Sequence, residues 1–196
     1  MTSQPALGTA LADLAEARAR YWGRWRSDPW THDEEIESAL ATAWAATVKS
    51  TEGREQVIRL AGAPPCDAGA PSPVLVAHPA AAFLGYDDAD GARRLLTFQH
   101  VDSVVFGGAG DESLHGHRLW EHGLEACEFQ EVLNSAWIAQ REQENSVHPR
   151  HRPGWHARLR HFVYTFPGET FECIAGRYVV GDRAGAPAAS LAALEP

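Results

Sequence analysis

A stretch of Pro, Gly and Ala, AGAPPCDAGAPSP from Ala61 to Pro73, divides the chain. Proline lacks a backbone N–H and glycine gains little from regular structure, so this run holds neither a helix nor a central strand. Before it, apolar residues recur at helical spacing. Beyond it, they recur at the two-residue period of extended chain. That change of period limits the fold to the α+β class. It predicts a helical hairpin or small bundle over residues 1–60, a linker over 61–73 and a mainly antiparallel β domain over 74–181, closing as a sandwich or half-open barrel. The helices would pack on one face or end of the sheet. From residue 182 on, the Ala/Gly/Pro composition predicts a frayed tail.

Residues 6 to 26 place Leu7, Leu11, Leu14, Ala15, Trp22 and Trp25 on one helical stripe, which Arg18 interrupts. Ser27-Asp28-Pro29 breaks that helix. A second begins at Thr31, where Thr31 and Glu34 make a capping-box pair, and its stripe is Ile36, Leu40, Ala43, Trp44 and Val48. A third short helix is expected from about Glu52 to Leu60. Trp22, Trp25 and Trp30 crowd the first turn, where core packing outweighs a pocket because Trp mostly contributes buried area.

In the second part, Val74–Ala77 and Ala81–Tyr86 read as short strands. A polar turn from Asp87 to Gly91 leads into a long strand, Arg94–Phe106, with an irregularity at Asp102-Ser103. Leu96, Phe98 and His100 share one of its faces. Gly107, Gly108 and Gly110 do not make a phosphate loop, since no Lys-Ser/Thr follows and no βαβ unit opens there. Glu125–Leu133 reads as a strand, followed by a short helix capped by Asn134 or Ser135. Arg160–Phe166 and Phe171–Val180 make the clearest hairpin, through Pro167-Gly168-Glu169.

Seven of the ten histidines fall between His115 and His161, more imidazole than packing requires of so short a span. Histidine titrates near neutral pH and is the commonest metal ligand. His115 and His117 flank Gly116, and His148 and His151 flank Pro149 and Arg150, so two imidazole pairs stand on two loops. If the pairs converge, they fit a divalent transition metal, with Glu112, Glu121 or Cys173 as a further ligand. If they do not, they are structural histidines that hydrogen-bond loop backbone. Metal-free acid–base work is the third reading. Cys173 in its strand reads as a small buried hydrophobe. As a nucleophile it would need His161 from the paired strand. Asp102, Asp111, Glu112 and Glu172 are carboxylates whose spacing singles none of them out, and His122 and His156 read as incidental, the latter exposed.

A net charge of −9 disfavours a nucleic-acid partner, and no apolar run has the length of a membrane span. The N-terminus lacks the basic and apolar regions of a signal peptide, so the expected location is cytoplasmic. Cys66, Cys127 and Cys173 are odd in number and without CxxC spacing, which argues against a disulfide framework and a Cys-rich zinc site.

Four segments together resemble a family of small bacterial proteins to which no activity is attached. They are Leu114-His115-Gly116-His117-Arg118-Leu119, Asn134-Ser135-Ala136-Trp137, Asn145-Ser146-Val147-His148-Pro149-Arg150-His151 and Thr170-Phe171-Glu172-Cys173. The family pattern is LHGHPL, NSxW, NSVHPxH and TFEC, so Arg118 stands in place of a proline. Pro167-Gly168 likewise stands where that pattern has a His-Asp pair. The resemblance covers residues 95 to 178 and implies a shared fold rather than a reaction.

The expected function is a small-molecule enzyme or binding protein, metal-dependent if the pairs converge. His115, His117, His148 and His151 would be its catalytic or metal-ligating core, and Trp120, Trp137 and Tyr164 its substrate-binding walls. The rival is an acidic protein–protein interaction module of immunity or regulatory type. Homodimerisation through the Trp-bearing helical stripe stays open as a third alternative.

Overall fold

The computed structural model describes residues 4–27, 32–69, 72–78, 80–152 and 154–181. The fold class is α+β, and the chain divides into two compact units, residues 1–56 with 133–160 and residues 57–132 with 161–196.

In the first unit, α1 (Gln4–Ser27) packs against α2 (Glu34–Ser50) through Leu14, Ala17, Leu40 and Ala43. Thr31 lies outside the described residues. The cap on α2 is Asp33, in extended backbone, whose carboxylate accepts from the Ile36 N–H at 3.1 Å. Residues 133–160, expected within the β domain, join this unit as α3 (Ala136–Asn145) and a 3₁₀ turn, Trp155–Arg158. Ser135 caps α3, accepting from the Ile138 N–H, as one of the two expected caps, and the Glu55 carboxylate accepts from the Ala136 N–H. Arg18 explains how the 3₁₀ turn is held. It is buried, and its guanidinium donates to the carbonyls of Ala157 at 3.2 Å and Leu159 at 2.7 Å. The residue that interrupts the apolar stripe of α1 is therefore a docking group. Trp22 is also buried, and its indole N–H donates to the Arg158 carbonyl. Trp30 lies outside the described residues.

The expected third helix is not formed. After α2, Glu52 and Gly53 take φ of 55° and 70°, which stops the helix, and the β-branched Val57 and Ile58 then fall in a strand, β1 (Gln56–Arg59).

The remaining strands are β2 (Val74–His78), β3 (Ala81–Asp87), β4 (Arg93–Gly107), β5 (Phe129–Leu133), β6 (Arg160–Thr165) and β7 (Thr170–Gly181). They form one open antiparallel sheet in the order β1-β5-β6-β7-β4-β3-β2, with β1 and β2 at its edges. The irregularity expected at Asp102-Ser103 is a register shift of β4 against β7 between Val101 and Ser103. His100 leaves the alternation with a φ of 57°.

Strand alternation sorts the side chains onto two faces. One face carries Leu96, Phe98, Phe129, Phe162, Tyr164, Phe166 and Phe171, an aromatic core whose rings lie 4.4 to 6.1 Å apart in neighbouring pairs. Burying each such ring contributes on the order of 2 kcal/mol. The other face carries Val57, Val132 and Val163, covered by Leu114, Leu119 and Leu124. Those leucines come from the histidine segment itself, through two 3₁₀ turns, Asp111–Gly116 and Trp120–His122. No helix among the described residues is long and apolar enough to cross a membrane.

Candidate functional site

Two glutamates organise the imidazoles, one in each unit. In the sheet unit, Glu172 sits between Phe171 and Cys173, which face the aromatic core, so its carboxylate is directed to the opposite face. There it is nearly buried and receives His161 Nε2 at 2.9 Å, Arg118 at 2.7 Å and His117 Nε2 at 3.5 Å. Burial alone would raise the pKa of such a carboxyl. The hydrogen bonds from His117 and His161 and the Arg118 charge outweigh it and hold the group far below the ordinary carboxylate range. His117 Nδ1 accepts from the Leu119 N–H at 3.2 Å, so Nε2 is the protonated nitrogen that faces Glu172. Both ring nitrogens of His117 are thus committed to seating the HGHRL segment on the sheet.

In the helical unit, Glu142 of α3 gathers the loop that follows. Its oxygens accept from the backbone N–H of Gly154 at 3.1 Å and of His156 at 2.8 Å, and lie 2.6 Å from His156 Nδ1 and 3.2 Å from His151 Nε2. Burial again opposes ionisation, but the His156 and His151 contacts prevail and the carboxyl stays below its usual range. His156 is buried, against the expectation of an exposed ring, because it fills this hydrogen-bonding role. His151 Nδ1 and Trp155 Nε1 are both buried and without a hydrogen-bond partner.

The four histidines singled out from the sequence divide accordingly. His115 and His148 are exposed, and His148 Nδ1 accepts from the Arg150 N–H at 3.1 Å. His117 and His151 are glutamate partners, one in each unit. Among the described residues no group of three or more His, Cys, Asp or Glu side chains is placed to hold a metal ion. The carboxylates and imidazoles that do come close pair with one another, Glu172 with His117 and His161 and Glu142 with His151 and His156.

Of the expected apolar walls, Trp120 is exposed and Trp137 is half-buried. Tyr164 is core instead. It is fully buried, stacks on Phe166 at 4.4 Å and donates its hydroxyl to the Pro64 carbonyl at 2.7 Å. Cys173 is fully buried too, and burial followed by the charge of Asp102 pushes its thiol well up, away from nucleophile behaviour. His161 does not serve it, because Nε2 turns to Glu172 on the other face.

The roles of Glu142 and Trp155 were missed. Glu142 is one carboxylate among several in a polar helix, and no spacing marks it. A cleft lies against Cys66, Tyr86, Asp87 and Phe166, with a volume of about 30 Å³, room for one water-sized molecule. No histidine lines it. No family model, no curated protein and no solved structure matches this chain.

Proposed function

We propose that the chain is a small-molecule enzyme or binding protein whose polar centre is the Glu142–His151 pair of the helical unit, working by metal-free acid–base chemistry. One observation carries this reading. His151 Nε2 lies 3.2 Å from the Glu142 carboxylate, and its other ring nitrogen, Nδ1, is buried without a partner. A carboxylate beside an imidazole is the arrangement of a general base. The indole N–H of Trp155, also buried without a partner, supplies a donor on the same loop. A lone pair that takes a proton and an N–H that donates to an acceptor suit a small molecule carrying a hydroxyl next to a carbonyl. Each unpaired buried group costs about 1–3 kcal/mol, which such a ligand would recover on binding.

The test is a thermal-shift and calorimetric screen of small hydroxy-carbonyl compounds against the wild-type chain, His151→Ala and Trp155→Phe. A compound that stabilises the wild type and loses at least about tenfold in affinity in both variants supports the reading. Compounds that bind all three chains equally, or none that binds, overturn it.

The acidic interaction module remains the second reading, favoured by the net charge of −9 and by the exposed Val105 and Phe106 at the end of β4. It predicts no ligand in this screen and salt-sensitive association with a basic protein instead.

A further inference from the structure

Cys66 lies in the linker and Cys127 in the loop before β5, yet they meet. The Cys66 N–H donates to the Cys127 carbonyl at 3.3 Å, which holds the two residues side by side. Cys127 packs against the buried cluster that contains Cys66, and Cys66 Sγ donates to the Thr165 carbonyl at 3.7 Å. Both are free thiols, Cys66 buried and Cys127 half-exposed. Cys127 has a φ of 56°, a conformation that costs a non-glycine residue energy and is kept here by the surrounding loop. Gln130 braces that loop, bonding both the N–H and the carbonyl of Glu125. The water-sized cleft described above opens against Cys66.

We propose that Cys66 and Cys127 form a redox-active dithiol that hydroperoxides oxidise to an intramolecular disulfide. The half-exposed Cys127 sulfur attacks one peroxide oxygen, the O–O bond breaks, and the products are Cys127 sulfenic acid and one water. With an organic hydroperoxide the first leaving product is the alcohol in place of that water. The Cys66 sulfur then attacks the sulfenic sulfur. The S–S bond forms as the S–O bond breaks, and the departing hydroxyl takes the Cys66 proton and leaves as a second water. The two thiols lose two electrons in total, and the peroxide gains them. Cys66 acts as the resolving partner because burial pushes its thiol up and makes it the poorer first nucleophile. The product ties together the two ends of the segment that contains β2, β3, β4 and the histidine turns.

The experiment treats the full chain with hydrogen peroxide and counts thiols after denaturation, with peptide mass mapping under non-reducing conditions. The three thiols of the wild type should fall to one, with a Cys66–Cys127 linked peptide that dithiothreitol releases. Cys173→Ser should give the same linked peptide, and Cys127→Ser should keep Cys66 reduced. Cys66→Ala should stop at sulfenic acid on Cys127, trapped by dimedone, which keeps the assignment testable if one variant folds poorly. Over-oxidation of Cys127 without a linked peptide, linkage through Cys173, or disulfide-linked dimers as the main product would overturn the proposal.

Discussion

Removing the Glu172 carboxylate tests whether the histidine segment is seated by charge. In Glu172→Ala, His161, whose side chain is 0% exposed, and His117, 12% exposed, each lose an acceptor. An unsatisfied buried donor costs about 1–3 kcal/mol, and breaking a buried ion pair from one side costs about 3–5 kcal/mol. Arg118 is 44% exposed and turns to water, so its share is discounted. The expected loss is about 3 kcal/mol, or roughly 6–12 °C in unfolding midpoint for a chain of this size. Glu172→Gln keeps one acceptor and should lose less. The pH dependence follows from the depressed carboxyl. A group held ionised in the folded state stabilises fully above its unfolded value, 4.5, and loses that contribution as pH falls below it. The gap between wild type and Glu172→Gln should therefore be constant from neutral pH to about pH 5, then close by about 1.4 kcal/mol per pH unit. Urea unfolding followed by circular dichroism between pH 3 and 7 reads both quantities. A loss under about 0.5 kcal/mol for the alanine variant, or a gap that widens on acidification, would refute the reasoning.

Arg18→Ala leaves the Ala157 and Leu159 carbonyls without their guanidinium and should cost about 2–4 kcal/mol in denaturant unfolding, whereas Arg20→Ala, half-exposed, should cost under about 0.5 kcal/mol. Chelation with EDTA should leave the unfolding midpoint unchanged, and elemental analysis should find no stoichiometric metal, since the glutamates and imidazoles bond to one another. The Cys66–Cys127 disulfide, closing a loop of about 60 residues, should stabilise by up to about 4 kcal/mol through restriction of the unfolded chain, read as a higher midpoint that dithiothreitol abolishes.

The fold class, α1, the terminal hairpin, the β4 irregularity and the Ser135 cap were legible because each rests on local chemistry. Phe162, Tyr164 and Phe166 alternate with Val163 and Thr165, and no competing period fits them. Residues 52–60 misled because Val57, Ile58 and Leu60 fit a helical stripe in isolation, and the left-handed turn at Glu52 and Gly53 left no signature beyond one glycine. Arg18 looked like a flaw because its partners lie 139 and 141 residues away. The histidines were correctly marked as unusual, but which carboxylate each would meet depends on strand alternation at Glu172 and helix packing at Glu142. Neither of these is encoded in spacing between histidines. The meeting of Cys66 and Cys127 is hidden for the same reason.

The linker has a consequence of its own. The hydroxyls of Tyr86 and Tyr164 both donate to the Pro64 carbonyl, at 2.9 and 2.7 Å, so both lone pairs of one oxygen are taken. Just beyond it, the Ala89 N–H donates to the Pro65 carbonyl and the Asp67 N–H to the Asp87 carbonyl. Burial raises the pKa of both phenols, that of Tyr86 to about 12, so these bonds persist far into alkaline solution. A segment that composition nominates for proteolytic nicking or for grafting an insertion is therefore closed to both around Pro64, because cutting or lengthening it there would unmake hydrogen bonds to the aromatic core.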